Sequence, residues 1–219
     1  MVFAAIDTGS NAIRMALSKC LLGQLPEDIE VIRVPVRLGK DVFAHGYVKE
    51  KTAKELFSAF QQFRRIMDKQ GVEHYRAVAT SALREAQNGK ELAQEIHRLT
   101  NINLEIIDGL AEAELVLLAI SDYFKIAQLD ALILDIGGGS VEAIICWQGK
   151  VQSLESLRMG TVRLLKDFDP DHELDSMLSR VRQNVRRFHH KLSLQRNQHS
   201  ERLIVTGGNA RCLGRLAVQ

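Results

Sequence analysis

Residues 130–147 read DALILDIGGGSVEAIICW, and this stretch decides the interpretation of the whole chain. An apolar run ends at Asp135, a glycine-rich turn follows, and a second apolar run begins at Val141, which predicts a β-hairpin. Residues 2–18, VFAAIDTGSNAIRMALS, repeat the same order of apolar run, aspartate, Gly-Ser turn and second apolar run. The repeat predicts two related halves, each of which opens with a hairpin.

Outside the two hairpins, short apolar runs predict further strands, and apolar residues at helical spacing predict helices. The strands fall at 29–38, 74–80, 102–107, 151–157 and 203–206, and the helices at 52–70, 89–99, 110–124, 173–192 and from 209 onward. Alternating strands and helices indicate an α/β fold, and the hairpins indicate a mixed sheet. We place the boundary near Lys125–Gln128, which gives domains of residues 1–126 and 127–219.

Composition narrows the class of protein. The 219 residues are 46% hydrophobic and 26% charged, which is ordinary for a globular protein, and a net charge of +2 argues against nucleic acid as the main partner. No apolar run approaches the roughly 18 residues that span a bilayer, and the N-terminus lacks a basic signal region. Three cysteines, Cys20, Cys146 and Cys212, without CxxC spacing fit a reducing compartment. We expect a cytoplasmic protein with no DNA or membrane partner.

The aspartate–glycine turns are candidate phosphate sites. Consecutive glycines let backbone N–H groups converge on one point, and Ser and Asn side chains add donors. The candidate phosphate-binding residues of the turns are Gly9, Ser10, Asn11, Gly137, Gly138, Gly139 and Ser140. Asp7 and Asp135 precede the turns and could hold a hydrated Mg²⁺. One such turn alone would more often be a plain hairpin connection, but the pair suggests two half-sites that clamp a phosphate chain.

Three further positions give weaker signals. Gly207 and Gly208 lie between a predicted strand and a predicted helix, which suits a phosphate site and suits a tight turn equally well. Arg84 could bind phosphate through its guanidinium or form a surface ion pair. Glu112, on an apolar helix, is a candidate general base, although a first-turn glutamate stabilised by the helix dipole has the same pattern.

A basic stretch lies on the last long predicted helix. Its members are Arg180, Arg182, Arg186, Arg187, His189, His190 and Lys191. A solvated helix face is the default interpretation, and a docking face for an extended polyanion is the alternative.

Taken in order along the chain, these motifs resemble the exopolyphosphatase/guanosine pentaphosphate phosphohydrolase (Ppx/GppA) family. The matching segments are AIDTGSNAIR (5–14), RLGK (37–40), ATSALREAQNG (79–89), IIDG (106–109), LDIGGGSVE (134–142), MGTVRL (159–164) and GGNAR (207–211). The resemblance implies the acetate and sugar kinase, heat-shock chaperone and actin superfamily fold, with two ribonuclease H-like domains and an active site between them. It also implies Mg²⁺-dependent removal of a terminal phosphate from polyphosphate or pppGpp, with Glu112 as the catalytic glutamate and Arg84 as a phosphate contact.

The chain departs from the family pattern at several positions. Leu110 and Ala111 stand where an acidic pair usually starts, Ala12 replaces a usual serine, and Lys40 replaces an acidic or small residue. The family's second domain continues further than Gln219, so we expect that domain to be truncated. An unfinished domain would expose an apolar sheet face, which favours association, for instance into a homodimer.

Two rival functions remain open at this point. An ATP-dependent kinase of the same superfamily would share both glycine turns and would transfer phosphate to a small molecule. A regulatory protein would bind polyphosphate or pppGpp without turnover, which the altered acidic pair makes credible. The sequence does not separate polyphosphate from pppGpp as the substrate.

Overall fold

The computed structural model describes residues 1–20, 27–121, 130–148, 150–193, 202–208, 210–211 and 214. The chain divides into two compact units, Met1–Asp108 and Gly109–Gln219. The domain boundary expected between residues 126 and 127 lies outside the described residues.

The first unit contains a mixed five-stranded sheet in the order β3-β2-β1-β4-β5. Its strands are β1 (Val2–Thr8), β2 (Ile13–Lys19), β3 (Glu27–Val34), β4 (His74–Ala79) and β5 (Leu104–Ile106). Its helices are α1 (Leu38–His45), α2 (Glu50–Lys69), α3 (Ser81–Glu85) and α4 (Gly89–Thr100). Strands β1, β2 and β3 are antiparallel, whereas β4 and β5 continue the sheet parallel to β1, as the mixed-sheet prediction required.

The second unit repeats this plan with a four-stranded sheet in the order β8-β7-β6-β9. Its strands are β6 (Ala131–Ile136), β7 (Val141–Trp147), β8 (Lys150–Leu157) and β9 (Arg202–Thr206), and its helices are α5 (Gly109–Ser121), α6 (Thr161–Asp167) and α7 (Leu174–Ser193). Strands β6, β7 and β8 are antiparallel, and β9 lies parallel to β6 on its other side. The hairpin that opens each half, followed by a third antiparallel strand, confirms the internal repeat.

The core of the first unit is formed largely by alternate residues of its strands and by one stripe along its longest helix. Alternate residues of β2 are fully buried, and α2 buries a stripe at helical spacing. The fully buried residues of this stripe are Leu56, Phe60, Phe63 and Met67. Truncating either buried phenylalanine to alanine would cost about 3–5 kcal/mol by the usual cavity cost, so this helix anchors the first unit.

The predicted strand 29–38 is wrong at its C-terminal end. Strand β3 ends at Val34, because Pro35 has no N–H to continue the ladder, and Leu38 already belongs to α1. Helices α3 and α6 are also absent from the predictions, since they are too short to show a helical period. The start predicted at Asn209 lies outside the described residues, although Gly208, Ala210 and Arg211 are helical.

Several side-chain environments bear on the composition argument. Burial in β7 raises the pKa of the Cys146 thiol, whereas Cys20 is half-exposed, and Cys212 lies outside the described residues. Leu203 and Val205 of β9 are exposed, so apolar side chains are present on the surface of this strand. Among the helices that the structure describes, none combines the length and apolar character of a membrane span.

Candidate functional site

The first aspartate–glycine turn connects β1 to β2. Asp7 is half-buried near the end of β1, and a hydrogen bond from the Gly9 N–H to the Ala12 carbonyl, 3.2 Å long, closes the turn. Ser10 is buried, whereas Asn11 is exposed. Of the two polar side chains expected to add donors, only that of Asn11 faces solvent.

The start of α1 holds the carbonyl groups of this turn. The Gly39 N–H donates to the Ser10 carbonyl at 2.7 Å, and the Arg37 N–H donates to the Asn11 carbonyl at 3.1 Å. A Cβ atom added at Gly39 would lie 2.9 Å from the Ser10 Cβ, closer than real contacts allow. Only glycine therefore lets the helix approach the turn this closely.

The second turn connects β6 to β7 and has the same closing bond. The Gly137 N–H donates to the Ser140 carbonyl at 3.0 Å, the counterpart of the bond between Gly9 and Ala12. Gly139 and Ser140 are buried. The two turns therefore share one backbone geometry as well as a sequence pattern.

The start of α6 holds the carbonyl groups of the second turn. The Gly160 N–H donates to the Gly139 carbonyl at 3.2 Å, and the Val162 N–H donates to the Gly138 carbonyl at 2.8 Å. These two donors are spaced two residues apart, as Arg37 and Gly39 are in the first unit. The Thr161 N–H adds a third bond of 3.1 Å to the Gly137 carbonyl.

The captured carbonyl groups determine where the N–H groups of the second turn point. In a trans peptide the C=O and the following N–H point in opposite directions, and the described residues contain no cis bond. Since the carbonyls of residues 137–139 face α6, the N–H groups of Gly138, Gly139 and Ser140 face away from it. None of these three groups donates a backbone hydrogen bond within the described part of the chain. They form a row of unused donors, which is what an anion requires.

The first turn offers a shorter row by the same argument. Its captured carbonyls belong to Ser10 and Asn11, so the N–H groups of Asn11 and Ala12 face away from α1. Of the predicted phosphate-binding residues, Asn11, Gly138, Gly139 and Ser140 thus offer N–H groups that suit an anion, whereas the N–H groups of Gly9 and Gly137 close the turns. Phosphate binding by these turns stays a prediction.

Gly160 and Arg163 fix the second turn further. A Cβ atom at Gly160 would lie 2.4 Å from backbone atoms of Gly138 and Gly139, and the Arg163 Nε donates to the Gly139 carbonyl at 2.9 Å. The contacted atoms of Gly138 and Gly139 belong to the main chain and cannot rotate aside. The residue at 160 must therefore be glycine for α6 to dock.

The third glycine pair packs against the end of β6. Gly207 has a φ of +98°, and a Cβ there would lie 2.4 Å from the Ile136 carbonyl oxygen. Both observations show that the tight turn by itself requires a glycine at position 207. Gly208 is exposed and starts helical structure. The hydroxyl of Thr206 donates to Asp135 Oδ1, which fixes the orientation of this carboxylate.

The predicted metal ligands lie one in each unit. Asp7 is the cross-strand partner of Arg14 on β2, and Asp135 is the partner of Glu142 on β7. Among the described residues, no group of three His, Cys, Asp or Glu side chains is close enough together to hold a metal ion. A Mg²⁺ site therefore stays a prediction for both aspartates.

Arg84 lies in α3, whereas the sequence placed it between a strand and a helix. Its Nη1 donates to the Ile107 carbonyl at 2.9 Å, and the residue is half-buried. The side chain is thus held by main chain just after β5, near Asp108. Its phosphate contact stays a prediction.

Glu112 lies in the first turn of α5, as the sequence predicted, and is half-buried. Ala113 beside it is fully buried, whereas Leu110 is 56% exposed. The carboxylate is therefore on a helix that is anchored on one side and open to water on the other. That setting suits a group that must exchange protons with water.

Glu142 belongs to the segment LDIGGGSVE, and the sequence predicted no role for it. It lies on β7 with an exposed fraction of 0%, and its Oε1 accepts a 2.8 Å hydrogen bond from the Ser156 hydroxyl on β8. A charged residue within the apolar run VEAIICW was the available signal, because buried carboxylates are rare and require partners.

The basic stretch lies on α7, as predicted. Arg180, Arg182, Arg186, Arg187 and His189 are exposed and make no ion pair with the residues that the structure describes. The positive charge of this helix face is therefore uncompensated within that part of the chain.

Comparison with known proteins identifies the relatives of this chain. Residues 22–218 match the Ppx/GppA phosphatase family. Exopolyphosphatase 1 of Mycobacterium tuberculosis is 28% identical over 171 residues, which are 78% of this chain and 50% of that protein. The guanosine-5'-triphosphate,3'-diphosphate pyrophosphatase of Aeromonas hydrophila is 29% identical over 173 residues, 79% of this chain and 34% of that protein. This chain thus spans half or less of these two relatives.

A solved structure gives the same result for the fold. The exopolyphosphatase from Cytophaga hutchinsonii has a TM-score of 0.89 at 27% identity and covers 100% of this chain and 70% of its own. The predicted fold, two ribonuclease H-like domains of the kinase and actin-like superfamily, is confirmed. From its sequence match and its structure, this chain belongs to the Ppx/GppA phosphatase family.

Proposed function

We propose that this chain carries catalytic residues of a phosphoanhydride hydrolase that removes the terminal phosphate of inorganic polyphosphate or guanosine pentaphosphate. The observation that carries the proposal is the second turn, where three consecutive N–H groups face away from α6 and remain unused by the described backbone. The names of the relatives, exopolyphosphatase and guanosine-5'-triphosphate,3'-diphosphate pyrophosphatase, support this reaction class.

The bound phosphate is held by main-chain donors in this scheme. The N–H groups of Gly138, Gly139 and Ser140 bind phosphate oxygens, and their positions are set before substrate arrives because α6 holds the carbonyl groups. Preorganised donors stabilise charge without having to reorient during the reaction, which is the main requirement of phosphoryl transfer. In the first unit, the N–H groups of Asn11 and Ala12 and the Arg84 guanidinium are further candidate phosphate contacts.

Glu112 acts as the general base. It takes a proton from water, the water oxygen bonds to the terminal phosphorus, and the bond from phosphorus to the bridging oxygen breaks. The electron pair stays on the bridging oxygen of the shortened chain. The products are inorganic phosphate and a chain or nucleotide shorter by one phosphate.

Each aspartate that precedes a glycine turn would suit a divalent cation. Asp7 and Asp135 offer carboxylate oxygens, which Mg²⁺ prefers, and the Thr206 hydroxyl orients Asp135 by donating to its Oδ1. When bound, Mg²⁺ would neutralise phosphate charge and aid departure of the leaving group.

The direct test is a phosphate-release assay on the full-length protein with polyphosphate and with pppGpp, with Mg²⁺ and after chelation. Release of phosphate from either substrate, lost on chelation, supports the proposal. Transfer of phosphate from ATP to a small acceptor without hydrolysis would favour a kinase instead. Tight binding of either substrate without release would favour a regulatory binding protein.

The exposed basic face of α7 allows a test of which substrate is used. Replacing Arg182 and Arg186 with glutamine removes two charges that are four residues apart and form no ion pair within the described ranges. If long polyphosphate lies along this face, its KM should rise about fivefold, because two exposed charge contacts contribute roughly 1 kcal/mol together. The KM for pppGpp, which is too short to extend along a helix, should not change.

A matched control removes the same charge from another helix. Arg65 and Lys69 on α2 are also exposed, four residues apart and outside any ion pair with described residues. Replacing both with glutamine should leave both KM values unchanged. Equal effects from the two double variants would show that only the overall charge matters, and that α7 is a solvated face.

A further inference from the structure

Ser156 connects a buried carboxylate to a helix start. Ser156 on β8 and Glu142 on β7 are directly opposite each other in the antiparallel ladder, so their side chains project from the same face of the sheet. The Ser156 hydroxyl donates to Glu142 Oε1 at 2.8 Å. Because Glu142 is fully buried, this donor offsets part of the cost of holding a carboxylate away from water.

Ser156 also contacts the first residue of α5. A Cβ atom added at Gly109, the first residue of α5, would lie 2.4 Å from the Ser156 Cβ and 2.7 Å from its Oγ. The backbone of the helix start therefore touches the serine side chain directly, and the helix packs on β7 and β8. Glycine is the one residue type at position 109 that permits this approach.

The contact bears on Glu112 because a helix is stiff over one turn. Glu112 follows Gly109 by three residues, which is less than one helical turn, so movement of the helix start moves the carboxylate by a similar distance. A misplacement of about 1 Å in a reacting group can lower a rate about 100-fold. The position of the Ser156 side chain is therefore transmitted to the proposed general base.

We propose that Ser156 is a positioning residue of the hydrolase: its hydroxyl bond to Glu142 locks its rotamer, and the locked side chain sets the start of α5 and so the position of Glu112. This inference rests on the proposed function for its effect on rate. Its structural part requires only that Ser156 hold the start of α5.

The kinetic test replaces Ser156 with alanine in the full-length protein. We expect kcat for phosphate release to fall about tenfold or more, because Glu112 loses its alignment, with KM within about twofold, because the turn residues that hold phosphate are unchanged. Ser153 lies on the same strand, is half-buried, and its hydroxyl makes no hydrogen bond with the described residues, so Ser153→Ala is the matched control. That control should retain wild-type kcat.

A double-variant cycle separates positioning from general damage. If Ser156 acts through Glu112, then adding Ser156→Ala to Glu112→Gln should not lower the residual rate further. A full additional loss in the double variant, or wild-type kcat in Ser156→Ala, would overturn the inference. Rescue of kcat by Ser156→Thr, which keeps a hydroxyl, would support it.

Hydrogen exchange gives a readout that does not depend on activity. Exchange of the amides that donate to the first-turn carbonyls of α5 should speed up in Ser156→Ala and stay unchanged in Ser153→Ala. If wild-type protein releases no phosphate, the proposed function fails while faster exchange still supports the structural link. If wild-type protein is active and exchange in α5 is the same in both variants, the link to Ser156 is wrong.

Discussion

Glu112→Gln is expected to lower kcat for phosphate release by about 10²–10⁴, the usual contribution of a general base. Glutamine has the shape of the native side chain but accepts no proton from the attacking water. Phosphate should still bind, because the main-chain donors of the second turn are unaffected, so KM or the substrate Kd should change little. Steady-state assays and substrate titration of the full-length protein measure both quantities.

The control for this prediction is on the same helix. Glu114 follows two residues later and is exposed, so Glu114→Gln removes an equal charge near the same helix end. It should keep the wild-type rate. If Glu112→Gln also keeps that rate, Glu112 is a first-turn glutamate that interacts with the helix dipole, and its loss should cost no more than about 1 kcal/mol of stability.

The hairpins and the long helices could be predicted because their signals extend over many residues. Helix α2 shows a buried stripe over several turns, and the paired runs around Asp7 and Asp135 show the repeat. By contrast α3 and α6 have 5 and 7 residues, too few for a helical period to stand out from chance. α1, with 8 residues, was missed as well, and only its first residue, Leu38, fell within a predicted strand.

Two of these missed helices orient the candidate site. The sequence pattern identifies the glycine turns. The direction of their N–H groups, however, depends on α1 and α6, and each of these helices is separated from its turn by two strands of the chain. Gly39 and Gly160 were the available signals of these helix contacts, because each glycine allows its helix to approach a turn that is distant in the sequence. Contacts of this kind depend on tertiary packing, which local patterns do not encode.

Glu112 and Glu142 show the same division between local and tertiary information. Glu112 could be selected because it lies near the start of an apolar helix, three residues after the glycine of a motif that the family resemblance identifies. The buried partnership of Glu142 with Ser156 joins two strands through the register of the sheet, which the sequence leaves undetermined.

Gly160→Ala is expected to destabilise the protein by about 4–6 kcal/mol and to abolish phosphate release. The added methyl group would lie 2.4 Å from main-chain atoms of Gly138 and Gly139, so the start of α6 must move away from the turn. Overpacking of this kind costs about 1–3 kcal/mol, and the hydrogen bonds lost from α6 add about 1 kcal/mol each. Without captured carbonyls, the N–H groups of the turn lose their common direction.

Denaturant unfolding, substrate titration and phosphate release measured on Gly160→Ala separate these effects, with two glycine variants for comparison. Gly39→Ala should cost less, because its nearest contact, at 2.8 Å, is Cε2 at the far end of the Phe43 side chain, and the Ser10 Cβ lies 2.9 Å away, farther than the 2.4 Å main-chain contacts of Gly160. At Gly214 an added Cβ meets nothing within 4 Å, so Gly214→Ala should preserve stability and rate. Substrate affinity should fall in Gly160→Ala even at temperatures where the protein remains folded, since the loss lies in the direction of the donors. Unchanged affinity in folded Gly160→Ala would mean that α6 stabilises the unit without orienting the second turn for phosphate.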